Sequence, residues 1–249
     1  MIRFIFVVIV LLILLIMACP LLLVCLVMKY INKPLLDRFI MWIIKAFMKG
    51  IKWASGGKVI YRGLENIPKD KAVLYVGNHN SFFDIVYTYA ILPGNVGFIA
   101  KKELEHVPII AWAMKLSYSL FLDRDNMKQG LATILKAIEY VKYGASMFIF
   151  PEGTRSRDGK MADFKEGSLK IATKSGCPIV PVALSNTAEV FENHLPKIKA
   201  VPVIIEFLPA IDPKSLDKEE SKHLGVALHD IIEERVLINN EEIQNMTRH

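Results

Sequence analysis

A chain of 249 residues holds one substantial domain plus an extra segment, and its 53% apolar content and mean hydropathy of +0.34 are high for a soluble domain, the excess lying at the N-terminus. The net charge of +6 favours an anionic partner such as a lipid surface, a phosphorylated substrate or an acidic carrier protein, and no nucleic-acid motif accompanies it. Three cysteines, Cys19, Cys25 and Cys177, exclude a disulfide-built fold and show no metal-ligand spacing.

Phe4 to Met28 carries no charged residue. Such a run of about 25 residues is long enough to cross a bilayer with some tilt. Arg3 precedes it, whereas Lys29 and Lys33 follow, which slightly favours the C-terminal side as cytoplasmic. Pro20 leaves a re-entrant pair of half-helices as an alternative to a simple span. The run is too long for the core of a cleaved signal peptide. Ile16-Met17-Ala18-Cys19 matches a lipoprotein cleavage site only loosely. Residues 1–33 are therefore expected to form an uncleaved membrane anchor.

From Leu35 to Trp53, Leu36, Phe39, Ile40, Ile43, Ile44, Phe47, Met48 and Ile51 recur at helical spacing, with Arg38, Lys45, Lys49 and Lys52 largely off that face. A basic amphipathic helix over 34–56 suits an anionic interface; the same stripe also fits a helix packed on a domain core. Ser55-Gly56-Gly57 breaks it, and a domain is expected over 57–249.

Strands and helices then alternate. Val59–Tyr61, Val73–Val76, Val96–Ala100, Leu120–Leu122, Met147–Phe150, Ile179–Leu184 and Val203–Phe207 read as strands. Ile85–Leu92, Ile109–Leu116, a segment capped by Asp125 or Asn126 and ending before Gly144, Ser168–Lys174 and Leu216–Asn240 read as helical. Leu131, Ile134, Leu135, Ile138 and Val141 are the expected apolar face of the helix before Gly144. The pattern predicts an α/β fold: a single layered domain with a largely parallel sheet flanked by helices, preceded by N-terminal membrane-associated helices. Ligands of such sheets gather beyond the carboxyl ends of the strands.

Four chemically loaded stretches sit where strands end. The first is Asn78-His79-Asn80-Ser81-Phe82-Phe83-Asp84. On a regular helix His79 and Asp84 would lie about 140° apart. With His79 in the turn and Asp84 in the first helical turn, the carboxylate can reach the imidazole. It would fix the tautomer and leave the other nitrogen to take a proton from a hydroxyl. The same residues also fit a capping box, Ser81 to Asp84, with no catalytic role. The others are Lys101-Lys102-Glu103-Leu104, Asp123-Arg124, and Pro151-Glu152-Gly153-Thr154-Arg155-Ser156. Any one could be a solvated surface feature: Arg124 paired with Asp123 or Asp125, Gly153-Thr154 a turn, Arg155 and Arg157 a basic loop. Together they describe one job. Lys and Arg grip a phosphate, and the His/Asp pair deprotonates a hydroxyl held near it.

These stretches resemble the motifs of the glycerolipid acyltransferases. Residues 78–84 look like their His-x4-Asp block, Phe121-Leu122-Asp123-Arg124 like the second, Phe150 to Ser156 like the third, and Ile179-Val180-Pro181-Val182-Ala183 like the fourth. Lys101 to Leu104 is similar to the Lys-x-Glu-Leu segment of the lysophosphatidate branch, and the apolar N-terminus to the membrane-docking helices of bacterial members. The resemblance covers about Gly57 to Phe207.

It implies acyl transfer from an acyl thioester to the 2-hydroxyl of 1-acyl-sn-glycerol 3-phosphate, giving phosphatidate for phospholipid synthesis. His79 would be the base and Asp84 its orienting acid. Lys101, Arg124 and Arg155 would bind the phosphate, in a pocket shaped by Glu152, Gly153 and Thr154. No metal or organic cofactor is expected. The implied partners are lysophosphatidic acid, acyl carrier protein or coenzyme A as acyl carrier, and membrane lipids. The implied location is the cytoplasmic side of the inner membrane. Another acceptor, such as glycerol 3-phosphate or a different lysophospholipid, is the nearest alternative. A non-catalytic protein that binds anionic lipid also fits the basic charge, but it leaves the His/Asp pair unexplained.

Overall fold

Alternate residues of the central strands face two different apolar layers, which is why their sequences read as nearly unbroken hydrophobic runs. In β2 (Leu74–Gly77), Leu74 and Val76 join one core and Tyr75 the other. In β5 (Ser146–Ile149), Met147 and Ile149 join the first core and Phe148 the second. The computed structural model of the protein describes residues 1–124, 126–156 and 159–248; Asp125 and Arg157, considered above, lie outside them.

The seven-stranded sheet also contains β1 (Lys58–Arg62), β3 (Val96–Lys101), β4 (Leu120–Leu122), β6 (Ile179–Ser185) and β7 (Pro202–Phe207), in the order β1-β7-β6-β2-β5-β3-β4. From β6 through β2, β5 and β3 to β4 every pairing is parallel. The chain ends of these five strands therefore share one edge. β7 runs antiparallel to β6 and parallel to β1.

One face of the sheet is covered by α2 (Lys33–Ser55) and α3 (Phe82–Tyr89). The other is covered by α5 (Met127–Tyr143), α6 (Glu166–Ser175) and α8 (Leu224–Arg248). α4 (Pro108–Leu116) leads into β4, and the short α7 (Lys218–Lys222) precedes α8. The expected helical region 216–240 is thus two helices, with the break at His223. Asn126 caps α5, accepting from the Gln129 N–H. Ala137, Ile138 and Val141 are its buried apolar residues; Leu131 and Leu135, expected to join them, are exposed.

α1 (Ile2–Ile31) is a single helix continuous through Pro20, so the pair of half-helices does not form. It is long and apolar enough to cross a membrane by length and composition. α2 folds back against it. Of the apolar stripe over 34–56, Leu36, Ile40, Ile43 and Ile44 are buried within the protein, in one apolar layer with α1, α3 and the sheet, while Leu35, Trp42 and Trp53 stay exposed. The outer face of α1 is also bare, including Ile5, Ile9, Leu12, Ile16, Leu23 and Val27. Gly56, in the left-handed region at φ 68°, closes α2.

Both ends of the helical hairpin are fastened to the domain. Near the α1–α2 turn, the Tyr118 hydroxyl donates to the buried Asp37 (2.5 Å), and Lys33 donates to Tyr118 (2.6 Å) and to Asp37. Burial raises the Tyr118 phenol well above its ordinary range, so it stays a donor. At the other end Phe4 stacks on Phe191, with ring centroids 5.8 Å apart; within the hairpin, Phe6 of α1 packs edge-on to Trp53 of α2.

Tyr118 holds a left-handed backbone, φ 61°, just before β4. Its carbonyl lies so close to Gly97 in β3 that a Cβ there would sit 2.1 Å away. Gly97→Ala is expected to destabilise the fold by about 1–3 kcal/mol, the usual cost of overpacking. A lowered thermal midpoint in detergent solution checks this.

Candidate active site

Strand β2 ends at Gly77, and the chain turns through Asn78 before α3 begins. Asn78 is buried and pairs both ways with the Leu184 backbone in β6: its amide nitrogen donates to the carbonyl (2.9 Å) and its oxygen accepts the N–H (2.8 Å). That clamp fixes where His79 leaves the sheet. Ser81 then caps α3, its hydroxyl accepting from Phe83 N (3.0 Å).

Asp84, fully buried, returns one oxygen to this turn. Its Oδ2 lies 2.8 Å from His79 Nδ1 and accepts from the backbone N–H groups of Asn80 and Ser81, each also at 2.8 Å. The capping role and the His-orienting role therefore belong to the same atom. Because a carboxylate only accepts, the bond places the imidazole proton on Nδ1. Nε2, the lone-pair nitrogen, has no hydrogen-bond partner among the described residues. Phe150, directly after β5, stacks on the ring at 4.1 Å and 15°.

Glu152 also serves His79, in a way the sequence did not suggest. Expected to shape a phosphate pocket, it is buried. It accepts the His79 N–H (2.6 Å) through one oxygen and the Ala162 N–H (2.9 Å) and the Ser156 hydroxyl through the other. Ser156 N in turn donates to the His79 carbonyl (2.9 Å). The carboxylate is a brace between the two loops, and its negative charge is unsuited to holding a phosphate.

The cations fall into neighbouring groups. Lys101 and Arg124 line one cleft of about 520 Å³, together with Lys102, Glu103, His106 and Asp123. Lys102 donates to Asp123 (2.8 Å), which holds its ammonium above the ordinary lysine range and keeps it charged. Thr154 and Arg155 line an adjoining hollow with Lys160 and Ser156. Gly153 lies between the groups. It takes φ 77°, and a Cβ built there would be 3.1 Å from Lys165 Nζ and 3.8 Å from Arg124 Cζ. A side chain at 153 would strain the backbone, crowd Lys165 and touch Arg124.

Three contributors escaped the sequence reading. Lys165 reaches Gly153 from the start of α6. Phe150 lay inside a quoted motif without an assigned role. Glu192, in a short 3-10 turn at Glu192–His194, accepts from the Ser81 hydroxyl (2.6 Å), Phe82 N (2.8 Å) and Arg155 Nη1 (3.1 Å). Arg155 also lies over the Phe82 ring, 3.9 Å from its centroid. Among the described residues no group of three His, Cys, Asp or Glu side chains could hold a metal ion.

A sequence model of the family described as Acyltransferase matches residues 58–185, just over half of the chain. The chain belongs to this acyltransferase family. A 1-acyl-sn-glycerol-3-phosphate acyltransferase of Borreliella burgdorferi is 34% identical over 193 residues, which is 76% of each chain. A chloroplastic 1-acyl-sn-glycerol-3-phosphate acyltransferase of Brassica napus is 42% identical over 134 residues, 53% of this chain and 39% of that protein. The chain thus spans about two-fifths of the length of that plant relative and about three-quarters of the bacterial one. Among solved structures, the 1-acyl-sn-glycerophosphate acyltransferase PlsC of Thermotoga maritima superposes with a TM-score of 0.80 at 26% identity, covering 100% of this chain and 96% of that one. Acyltransferase family membership and the mostly parallel α/β fold agree with the sequence expectation.

Replacing Glu152 by Ala leaves two backbone donors without acceptors. At roughly 1–3 kcal/mol for each stranded donor, the expected loss is about 2–6 kcal/mol. Glu152→Gln should lose less, since its carbonyl oxygen keeps one acceptor. Thermal midpoints of the two variants against the parent protein measure the difference.

Proposed function

We propose that the protein acylates the 2-hydroxyl of 1-acyl-sn-glycerol 3-phosphate from an acyl thioester, forming phosphatidate at a membrane. The observation that carries this reading is the 2.8 Å His79–Asp84 bond at a sheet edge flanked by Lys101, Arg124, Arg155 and Lys165. The names of the relatives supply the acceptor class.

In this reading His79 Nε2 takes the proton of the acceptor hydroxyl as its oxygen attacks the thioester carbonyl. Asp84 stabilises the imidazolium that forms. Collapse of the tetrahedral intermediate breaks the carbon–sulfur bond, and the imidazolium returns the proton to the departing thiolate. Atoms balance with no acyl-enzyme, because the thioester is already activated and the alcohol is the nucleophile. Arg124, Lys101 and Lys165 face the phosphate across Gly153, where the lack of a side chain admits close approach. Thr154 and Arg155 complete that wall, while Glu152 holds the loop.

The donor is carried by acyl carrier protein or coenzyme A; both are anionic and suit a chain of net charge +6. The bare face of α1 supplies the lipid contact, on the cytoplasmic side of an inner membrane, with Lys29 in its last turn and Lys33 just after it to meet anionic headgroups.

The test is an acceptor panel with purified protein, following thiol release and identifying products by mass spectrometry. Lysophosphatidate should be turned over well above glycerol 3-phosphate and other lysophospholipids. Lipid binding with no thiol release from any donor would replace the enzyme reading with the binding one. His79→Ala should lose at least about 10²–10⁴-fold in kcat, the typical worth of a positioned base. Its thermal midpoint and membrane association should stay unchanged. Asp84→Asn should also lose activity steeply: its amide oxygen can still accept from Nδ1–H and the two backbone amides, but a neutral amide no longer offsets the charge of the imidazolium that forms.

A further inference from the structure

Most of the site is assembled from strand ends, but one carboxylate comes from a segment with no such origin. Glu192 follows β6 by seven residues and reaches across to both halves of the site. Its Oε2 accepts from the Ser81 hydroxyl at 2.6 Å. Its Oε1 accepts from Phe82 N at 2.8 Å and from Arg155 Nη1 at 3.1 Å. Its side chain is 17% exposed, so these bonds are only partly screened by water. The segment that carries it is itself braced: Glu189 accepts from Asn193 (2.7 Å) and pairs with His194 Nε2 (2.7 Å), and Phe191 stacks on Phe4.

We propose that Glu192 is a positioning residue that couples the acid–base turn to the phosphate-binding arginine and thereby sets selectivity for a phosphorylated acceptor. Arg155 has five N–H donors. Glu192 takes one from the side, and the Phe82 ring lies 3.9 Å from its guanidinium carbon. The guanidinium plane is then fixed before substrate arrives, and the remaining donors are left to meet a phosphate. The same carboxylate holds Ser81 and Phe82, two of the four residues between His79 and Asp84, so the arginine and the imidazole keep a set separation. Arg155 and the catalytic turn lie on different loops, after β5 and β2; Glu152 and the Ser156 N–H join the backbones of those loops, and Glu192 adds the link to the arginine side chain itself. This inference rests on the proposed acylation of lysophosphatidate.

Steady-state kinetics on Glu192→Ala and Glu192→Gln, with lysophosphatidate and with phosphate-free 1-acylglycerol as acceptors, test it. For Glu192→Ala the KM for lysophosphatidate should rise about tenfold, the scale of one charge-assisted hydrogen bond. The KM for the acyl donor should not move. Preference for the phosphorylated acceptor in kcat/KM should fall by a similar factor, and kcat should fall as the turn loosens. Glu192→Gln keeps a carbonyl acceptor for the turn but not the charge for Arg155. It should recover kcat while the KM for lysophosphatidate stays high. In an Arg155→Ala background, Glu192→Gln should raise that KM no further.

A loss of kcat common to both acceptors with unchanged KM would reduce Glu192 to a brace of the fold and overturn the proposal. An Arg155→Ala background in which Glu192→Gln still raises the KM would do the same. If the parent protein releases no thiol with lysophosphatidate, the functional reading itself fails and this inference falls with it. Parent turnover without the KM split removes only the inference.

Discussion

A single oxygen atom organises the catalytic end of this molecule. Asp84 Oδ2, on a fully buried side chain, accepts from an imidazole and from two backbone amides, all at 2.8 Å. The two amides hold the negative charge in place, and the charge holds the ring. A carboxylate so stabilised by peptide N–H groups needs no neighbouring cation. The cations of the site are thus left to act on a ligand. The surrounding geometry serves this turn: Asn78 fixes its start against β6, Glu152 ties it to the loop after β5, and Phe150 lies against the ring.

The parallel order of β2, β5, β3 and β4 converts separate sequence positions into one site. Each strand delivers its terminal residues to the same edge, so His79, Pro151, Lys101 and Asp123 emerge on a common rim. The chemistry then divides by position along that rim. The His79–Asp84 pair follows β2, near the middle of the sheet, with Asp84 in the first turn of α3. Lys101 and Arg124 lie toward β3 and β4, and Gly153 sits close to both Arg124 and Lys165. The proposed acceptor, a glycerol backbone with a phosphoryl group at one end, matches that division.

How much of this was legible before any coordinates depended on distance along the chain. His79 and Asp84 are five residues apart, and a strand-to-helix turn of that length has few ways to fold. Lys101 and Arg124 were legible because each sits at or beside a strand end. Glu192 was not: its partners Ser81 and Phe82 lie more than a hundred residues earlier, and a lone Glu in a 3-10 turn carries no periodicity. Lys165 was equally silent, one lysine among many before a short helix. The stripe on α2 shows the converse limit. Spacing reveals that Leu36, Ile40, Ile43 and Ile44 share a face, but hydrocarbon from lipid and from protein are equivalent partners for it. The antiparallel β6–β7 pair was legible as two strands but not as a direction, since the connection between them forms no long regular helix.

The fastening of α1 has a mechanical consequence. Aromatic stacking at Phe4 and the Lys33–Asp37–Tyr118 cluster pin the two extremities of the apolar hairpin to the same rigid body. No flexible tether separates the greasy surface from the reactive rim. The attitude of the rim toward a bilayer is consequently a property of side-chain packing, as fixed as the angle between two walls of a room. In the proposed reaction, that packing sets the height at which a lipid acceptor meets the imidazole.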